Sequence, residues 1–169
     1  MLISQGVSDL INAQIQSEFG ASQQYLAIAI YFDDEDLPDL AQFFLRQAEE
    51  EREHAMKFVQ YMLDVDSKPI IPPLPEFRND FEDAEDAVGY ALAQERKVTD
   101  QINAIMTQAL KDNDHASAQF LQWFVEEQVE EVSTMNELLG TIKHSNGMLL
   151  FVEDFVRRKS AQLQAEEQE

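Results

Sequence analysis

Cysteine is absent from this 169-residue chain. That excludes a disulfide framework, a thiol nucleophile, a cysteine-ligated iron–sulfur cluster and a thiolate zinc site. Glycine and proline are scarce, five of each, and four of the prolines crowd into residues 67–80. The rest of the chain is therefore nearly free of residues that break helices. Basic residues are few, 12 against 33 acidic ones, for a net charge of −21. So little positive charge excludes nucleic-acid binding, which needs a basic surface to displace counterions, and it disfavours anionic membrane surfaces. No stretch approaches about eighteen uninterrupted apolar residues, the length a membrane span requires. The N-terminus lacks the basic start and apolar run of a secretory signal, so a cytoplasmic protein is expected. At this length one domain with a substantial core is expected, over residues 1–159, followed by a polar tail at 160–169.

What the chain does have is helical periodicity. Four segments carry apolar residues at alternating steps of three and four, the buried seam of a packed helix. The first seam is Val7, Ile11, Ile15, Glu18, Ser22, Tyr25, Ala29 and Phe32, and the second Leu37, Ala41, Phe44, Ala48, Glu51, Ala55, Phe58 and Met62. The third is Val88, Ala91, Glu95, Val98, Ile102, Ile105 and Ala109, and the fourth Ser117, Leu121, Phe124, Gln128, Glu131, Met135, Leu138 and Ile142. Each seam contains a glutamate where an ionised group should be excluded unless a cation balances it.

The four glutamates fall at one level. Residues equidistant from a tight turn lie side by side on antiparallel helices. Glu18 and Glu51 are centred within Asp33-Asp34-Glu35-Asp36, and Glu95 and Glu131 within Lys111-Asp112-Asn113-Asp114. His54 follows Glu51 by one turn on the same face, and Gln128 precedes Glu131 in the same relation.

The predicted helices run from about Ser4 to Phe32, from a cap at Asp36 with Pro38 in the first turn to Asp66, from Asp80–Asp83 to Leu110, and from His115 to Lys143. Asn146-Gly147 ends the fourth with a left-handed cap. A short fifth helix, Met148 to Lys159, carries Leu149, Leu150, Val152, Phe155 and Val156 and would be poorly stable alone, so it should pack on the bundle or on other subunits. The proline-rich stretch 67–80 suits a connection travelling the length of a bundle, which makes the second and third helices parallel. The expected fold is all-α: a four-helix bundle with one long crossover and a short fifth helix.

Four carboxylates and one imidazole converging in a core suit paired iron or manganese ions better than structural zinc or copper. Without metal they would repel one another and take up protons. Glu18, Glu51-x-x-His54, Glu95 and Gln128-x-x-Glu131, with Tyr25 two turns after Glu18 and Trp123 before Gln128, resemble the ferroxidase centre of a bacterial non-haem ferritin. The resemblance spans the chain from Ile11 to Val156. It implies that Glu18, Glu51 and His54 hold one iron and that Glu51, Glu95 and Glu131 hold the second, with Gln128 a hydrogen-bonding or weak-ligand neighbour. It implies a third iron site at Glu50, Glu127 and Glu130, and a place for Tyr25 to donate a hydrogen bond or an electron. It further implies that Fe(II) is oxidised by dioxygen or hydrogen peroxide and stored as a ferric oxide mineral in a homo-oligomeric cage of 24 subunits.

Departures from related families are informative. Bacterioferritins carry a second Glu-x-x-His on the fourth helix, where this chain has Gln128-Val129-Glu130-Glu131, and bind haem through a methionine where Arg52 stands; no haem is expected. Rubrerythrins add a cysteine-ligated iron domain, and starvation-protein miniferritins lack the fifth helix. His115 and His144 fall at helix ends and read as solvent-facing or capping, Glu49 and Glu53 as a solvated face, Trp123 as packing. Tyr25 reads equally as a seam aromatic with a satisfied hydroxyl. Two other functions fit less well. A di-iron or di-manganese oxidase or catalase on the same bundle would want a substrate cleft, and a metal-free acidic adaptor leaves the buried carboxylates unexplained.

Overall fold

The computed structural model describes residues 2–73 and 75–166. Five helices account for most of them: α1 (Gln5–Asp34), α2 (Pro38–Asp64), α3 (Ala84–Lys111), α4 (His115–His144) and α5 (Leu149–Glu166). The helix starts follow local chemistry. Ser4 caps α1 by accepting from the Val7 amide at 3.1 Å. Asp83 caps α3 and Asp114 caps α4 in the same way, through the amides of Asp86 and Ser117 at 2.8 and 3.0 Å. Such side chains replace the partner that the first amides of a helix lack.

The first three helices end alike. Asp36, Asp66 and Asn113 adopt left-handed backbone, with φ of 57°, 54° and 57°. The amide after each one returns to a carbonyl five residues back: Leu37 to Phe32 at 2.9 Å, Ser67 to Met62 at 2.9 Å and Asp114 to Ala109 at 2.8 Å. This is the Schellman closure, built on Asp and Asn, which tolerate that conformation, rather than on glycine. Asn146 and Gly147, expected to cap α4, are both left-handed.

The start of α2 and the end of α5 differ from expectation. Asp36 does not cap α2, because its left-handed backbone closes α1 and cannot also take the extended geometry of an N-cap. Leu37 occupies the cap position and offers no side-chain acceptor. The acceptor comes instead from α5: both Glu153 oxygens take amide hydrogens of α2, from Asp39 at 2.9 Å and Leu40 at 2.8 Å. The fifth helix is also longer than expected. It continues past Lys159 to Glu166, because Lys159 pairs with Glu137 and Ser160 accepts from Arg46, which ties the continuing helix to the bundle. Residues 167–169 of the expected tail lie outside the described residues.

Pairings across the bundle fix its directions. From α1 to α3 the contacts Ser4–Asp112, Ser17–Gln101 and Tyr25–Glu95 descend in one chain as they ascend in the other, so these helices are antiparallel. Phe58–Phe124 and Tyr61–Phe120, stacked at 4.1 and 3.9 Å, do the same for α2 and α4. With α1 and α2 joined by a tight turn, α2 and α3 are parallel, and the crossover must travel the bundle. It runs along α1. Ser8, Asn12, Gln16 and Gln24 lie on one four-residue row of α1 and bind Ser67, Lys68 and Ile70, Pro73, and Arg78 respectively.

Every residue of the four predicted seams is buried. The apolar interior nevertheless forms two clusters. One gathers Tyr25, Phe32, Phe44, Val88, Met135 and their neighbours, including Val152 and Val156 of α5. The other gathers Ile11, Ile15, Phe58, Ile102, Phe124 and theirs. A polar layer lies between them, at the level of the seam glutamates.

The Glu153 contact generates a prediction. Replacing Glu153 by Ala removes both acceptors from the first turn of α2 and should lower unfolding stability by about 1–3 kcal/mol. Thermal and chemical denaturation measure it. A variant as stable as the parent would show that water replaces the carboxylate at no cost.

Candidate metal centre

The polar layer is built from one turn of each of four helices. Glu18 on α1, Glu51 and His54 on α2, Glu95 on α3, and Gln128 and Glu131 on α4 are all at most 4% exposed. Their ligand atoms converge. Glu18, Glu51 and His54 offer one atom each within 4.8 Å of one another, and so do Glu51, Glu95 and Glu131. Glu51 belongs to both groups. The level matching expected from the two turns thus brings Glu18 beside Glu51 and Glu95 beside Glu131.

Hydrogen bonds position the layer. Tyr25, fully buried, donates its hydroxyl to Glu95 Oε1. The Gln128 amide donates to Glu95 Oε2 at 3.1 Å and lies within reach of the Glu95 carbonyl and the Thr99 hydroxyl. Gln14 donates to Glu18 Oε1 at 2.8 Å. His54 Nδ1 faces Glu51 Oε2 at 3.4 Å, and its Nε2 points toward Glu127 Oε1 at 3.8 Å. Trp123 and Phe124 meet the imidazole edge-on, at 5.4 and 5.9 Å, and close that side.

Burial dominates the electrostatics. It pushes the carboxyls of Glu18 and Glu51 well above the ordinary range, with the charges of Glu51 and Glu95 respectively adding to the effect. Glu95 is raised by the same cause, against the opposing hydrogen bonds of Tyr25 and Gln128. Glu131 is pushed up to about 9, by burial first and then by Glu95. The Tyr25 phenol is raised by burial and the neighbouring carboxylates, so it stays a donor. Metal-free, every carboxyl of the layer is shifted toward its protonated form, and Glu131 keeps its proton at neutral pH. A divalent cation would displace them, because it supplies the balancing charge that no lysine or arginine provides among the layer residues named here. The donor set fits such an ion, and Glu18 Oε2 is buried without a hydrogen-bond partner, an oxygen left for one.

The expected third group is arranged differently from the first two. Glu127 converges with His54 and Glu131. Glu50 instead accepts from Gln47 at 2.6 Å, and Glu50, Glu127 and Glu130 share with Glu131 the wall of a pocket of about 490 Å³ beneath α5. This pocket meets the layer at Glu131. Of the two terminal histidines, His144 donates from Nδ1 to the Gly140 carbonyl at 2.7 Å and ends α4.

The profile of the ferritin-like domain family matches residues 8–145, which includes every residue of the layer. The chain belongs to the ferritin family. Ferritin BfrB of Mycolicibacterium smegmatis is 49% identical over 150 residues, 89% of this chain and 83% of that protein. The bacterial non-heme ferritin of Staphylococcus haemolyticus is 37% identical, over 79% of this chain and 80% of its own. Among solved structures, the open pore ferritin of the archaeon Archaeoglobus fulgidus superposes with a TM-score of 0.89 at 26% identity, covering 92% of this chain and 96% of that one.

For this ferritin, Gln14, Gln47 and Thr99 are layer neighbours that the seam periodicity did not mark. Gln14 had a signal, since it precedes Glu18 by one helical turn and is its neighbour on the helix surface. Thr99, whose hydroxyl also bonds the Glu95 carbonyl at 2.9 Å, had none.

The raised carboxyls give the metal-free ferritin a definite pH dependence. Each binds its proton in the folded state and loses it on unfolding once pH exceeds the ordinary carboxyl value. Their stabilising effect is full below that value and is lost as pH rises toward the folded one. Metal-free stability should therefore fall as pH rises above the ordinary carboxyl value, and for Glu131 the fall should continue to about pH 9, by up to about 1.4 kcal/mol per pH unit from that group. Glu131→Gln should flatten the slope. Denaturant melts across that range check it, and an equal slope in the variant would contradict the assignment for Glu131.

Proposed function

We propose that this chain is an iron-storage ferritin whose buried layer is a di-iron ferroxidase centre. Iron storage follows from family membership. The observation that carries the finer reading is the pair of buried three-residue ligand groups sharing Glu51. Iron here is the substrate. Glu18, Glu51 and His54 receive one ferrous ion, and Glu51, Glu95 and Glu131 receive the second, with Glu51 between them. Two ferrous ions supply two electrons, which dioxygen takes up with two protons to become hydrogen peroxide; peroxide itself can serve as the oxidant in a further turn. The protein contributes position and charge, whereas the redox chemistry belongs to the iron.

The surrounding residues have matching tasks. Tyr25, hydrogen-bonded to Glu95, holds that carboxylate and is placed to give an electron or a proton. Gln128 orients the other Glu95 oxygen. Glu50, Glu127 and Glu130, in the pocket between the layer and α5, form a third iron position from which oxidised iron passes on. The chain assembles with copies of itself into a hollow shell of 24 subunits, in which the ferric product mineralises. Such a shell would carry on the order of five hundred formal negative charges and would draw ferrous ions toward its openings. No described helix is long and apolar enough to cross a membrane, and we place the protein in the cytoplasm.

The ligand assignment is tested by Glu51→Ala and His54→Ala. Either should slow the rapid phase of ferrous oxidation at least tenfold, on the scale of losing a metal ligand or its partner, while the assembled particle keeps its sedimentation coefficient. Stopped-flow absorbance in air reads the rate. Parental rates in both variants would remove the centre from this position.

A further inference from the structure

The two ends of the carboxylate layer are held unequally. Glu95 has both oxygens engaged, Oε1 by the Tyr25 hydroxyl and Oε2 by the Gln128 amide. Glu18 receives one donor from outside the ligand groups: Gln14 Nε2 donates to Oε1 at 2.8 Å, whereas Oε2 receives none and the carboxyl otherwise meets that of Glu51. Gln14 and Glu18 are each 1% exposed, so bulk solvent cannot stand in for either group. An amide donating to a carboxylate in such surroundings makes a strong hydrogen bond, because the low local dielectric weakens it little. It also fixes the rotation of the carboxylate plane. A carboxylate can meet a metal ion through one oxygen or through both, and a donor fixed on one oxygen favours the other alone.

Nothing in the proposed centre gives Gln14 a task, and its amide belongs to neither ligand group. Resting on the di-metal reading, we infer that Gln14 is a positioning residue: its amide pins Oε1 of Glu18, so that this carboxylate meets the cation on the His54 side through Oε2 alone. The two cation positions then differ by construction. The position on the His54 side is served by one oxygen of Glu18, by His54 and by the shared Glu51, whereas the other has three carboxylates. Gln14 sets that asymmetry from outside the ligand set, and its loss should be felt at one position only.

Cobalt(II) is the probe, because it is not oxidised by air under these conditions and its visible spectrum reports coordination. The assembled parent protein and Gln14→Met, which keeps length and helix propensity but has no donor, are titrated with Co(II) by calorimetry and absorbance. The parent should take up about two Co(II) per chain at the layer, apart from any held in the pocket of Glu50, Glu127 and Glu130. In the variant one binding step should weaken by on the order of 10- to 100-fold, with a changed visible band, while the other step is unaltered. Two unaltered steps, or equal weakening of both, would overturn the inference. If the variant fails to assemble, a crystal structure of the Co(II)-loaded parent decides: Glu18 bound through Oε2 with Gln14 on Oε1 upholds it, and binding through both oxygens overturns it. A parent that takes up no Co(II) at the layer removes the di-metal reading itself, whereas a normal parent with an indifferent variant removes only the role of Gln14.

Discussion

Four carboxyl groups buried at mid-height in an apolar bundle are the constraint from which the rest of this structure follows. Each would be ionised in water, and each sits where ionisation is disfavoured, with Glu131 pushed up to about 9. The folded chain can hold them in two ways: protonated and hydrogen-bonded to Tyr25, Gln14 and Gln128, or ionised around cations. The first state stabilises the metal-free protein at the lower end of the pH range, and the second is the state that the proposed function requires. A core that can exist in both must be rigid around the layer and compliant in protons. The two apolar clusters on either side of the layer supply the rigidity.

Position along the chain serves the same end. Each tight turn is closed by an Asp or Asn in left-handed backbone, which fixes where the following helix begins and so which residues share a level. An insertion of one residue within a helix, between its turn and its glutamate, would rotate that glutamate about 100° relative to the seam on the turn side. The crossover carries no ligand, yet it binds a row of polar side chains along α1, the helix that presents Glu18. The fifth helix holds the start of α2 through Glu153 and walls the pocket that reaches Glu131.

Much of this was legible in the sequence, for physical reasons. Seam periodicity is set by the helix itself, so all four seams and their glutamates could be read without any tertiary information. The levels followed because the turns are short and nearly symmetric. The proline-rich stretch announced the crossover. What could not be read depends on contacts between segments far apart. Asp36 has the composition of a cap, but whether it ends one helix or begins the next is decided by backbone geometry, and the acceptors that α2 lacks come from Glu153, more than a hundred residues away. The polar row Ser8, Asn12, Gln16, Gln24 is visible at a four-residue step, yet only the crossover lying on it gives it a purpose. The length of α5 was underestimated because Ser160 to Glu166 is polar; its tie to Arg46 on α2 is tertiary.

If the buried layer oxidises iron in an assembled shell, the shell must keep what it oxidises. The direct test is iron retention. Excess ferrous iron is added in air, the protein is passed through size exclusion, and iron is counted in the eluted particle. A storage ferritin should elute as a large shell retaining hundreds of iron ions or more, far beyond the capacity of its ligand groups. About two ions per chain and no more would contradict storage and leave a di-iron enzyme, and a particle that retains no iron would contradict the metal centre altogether.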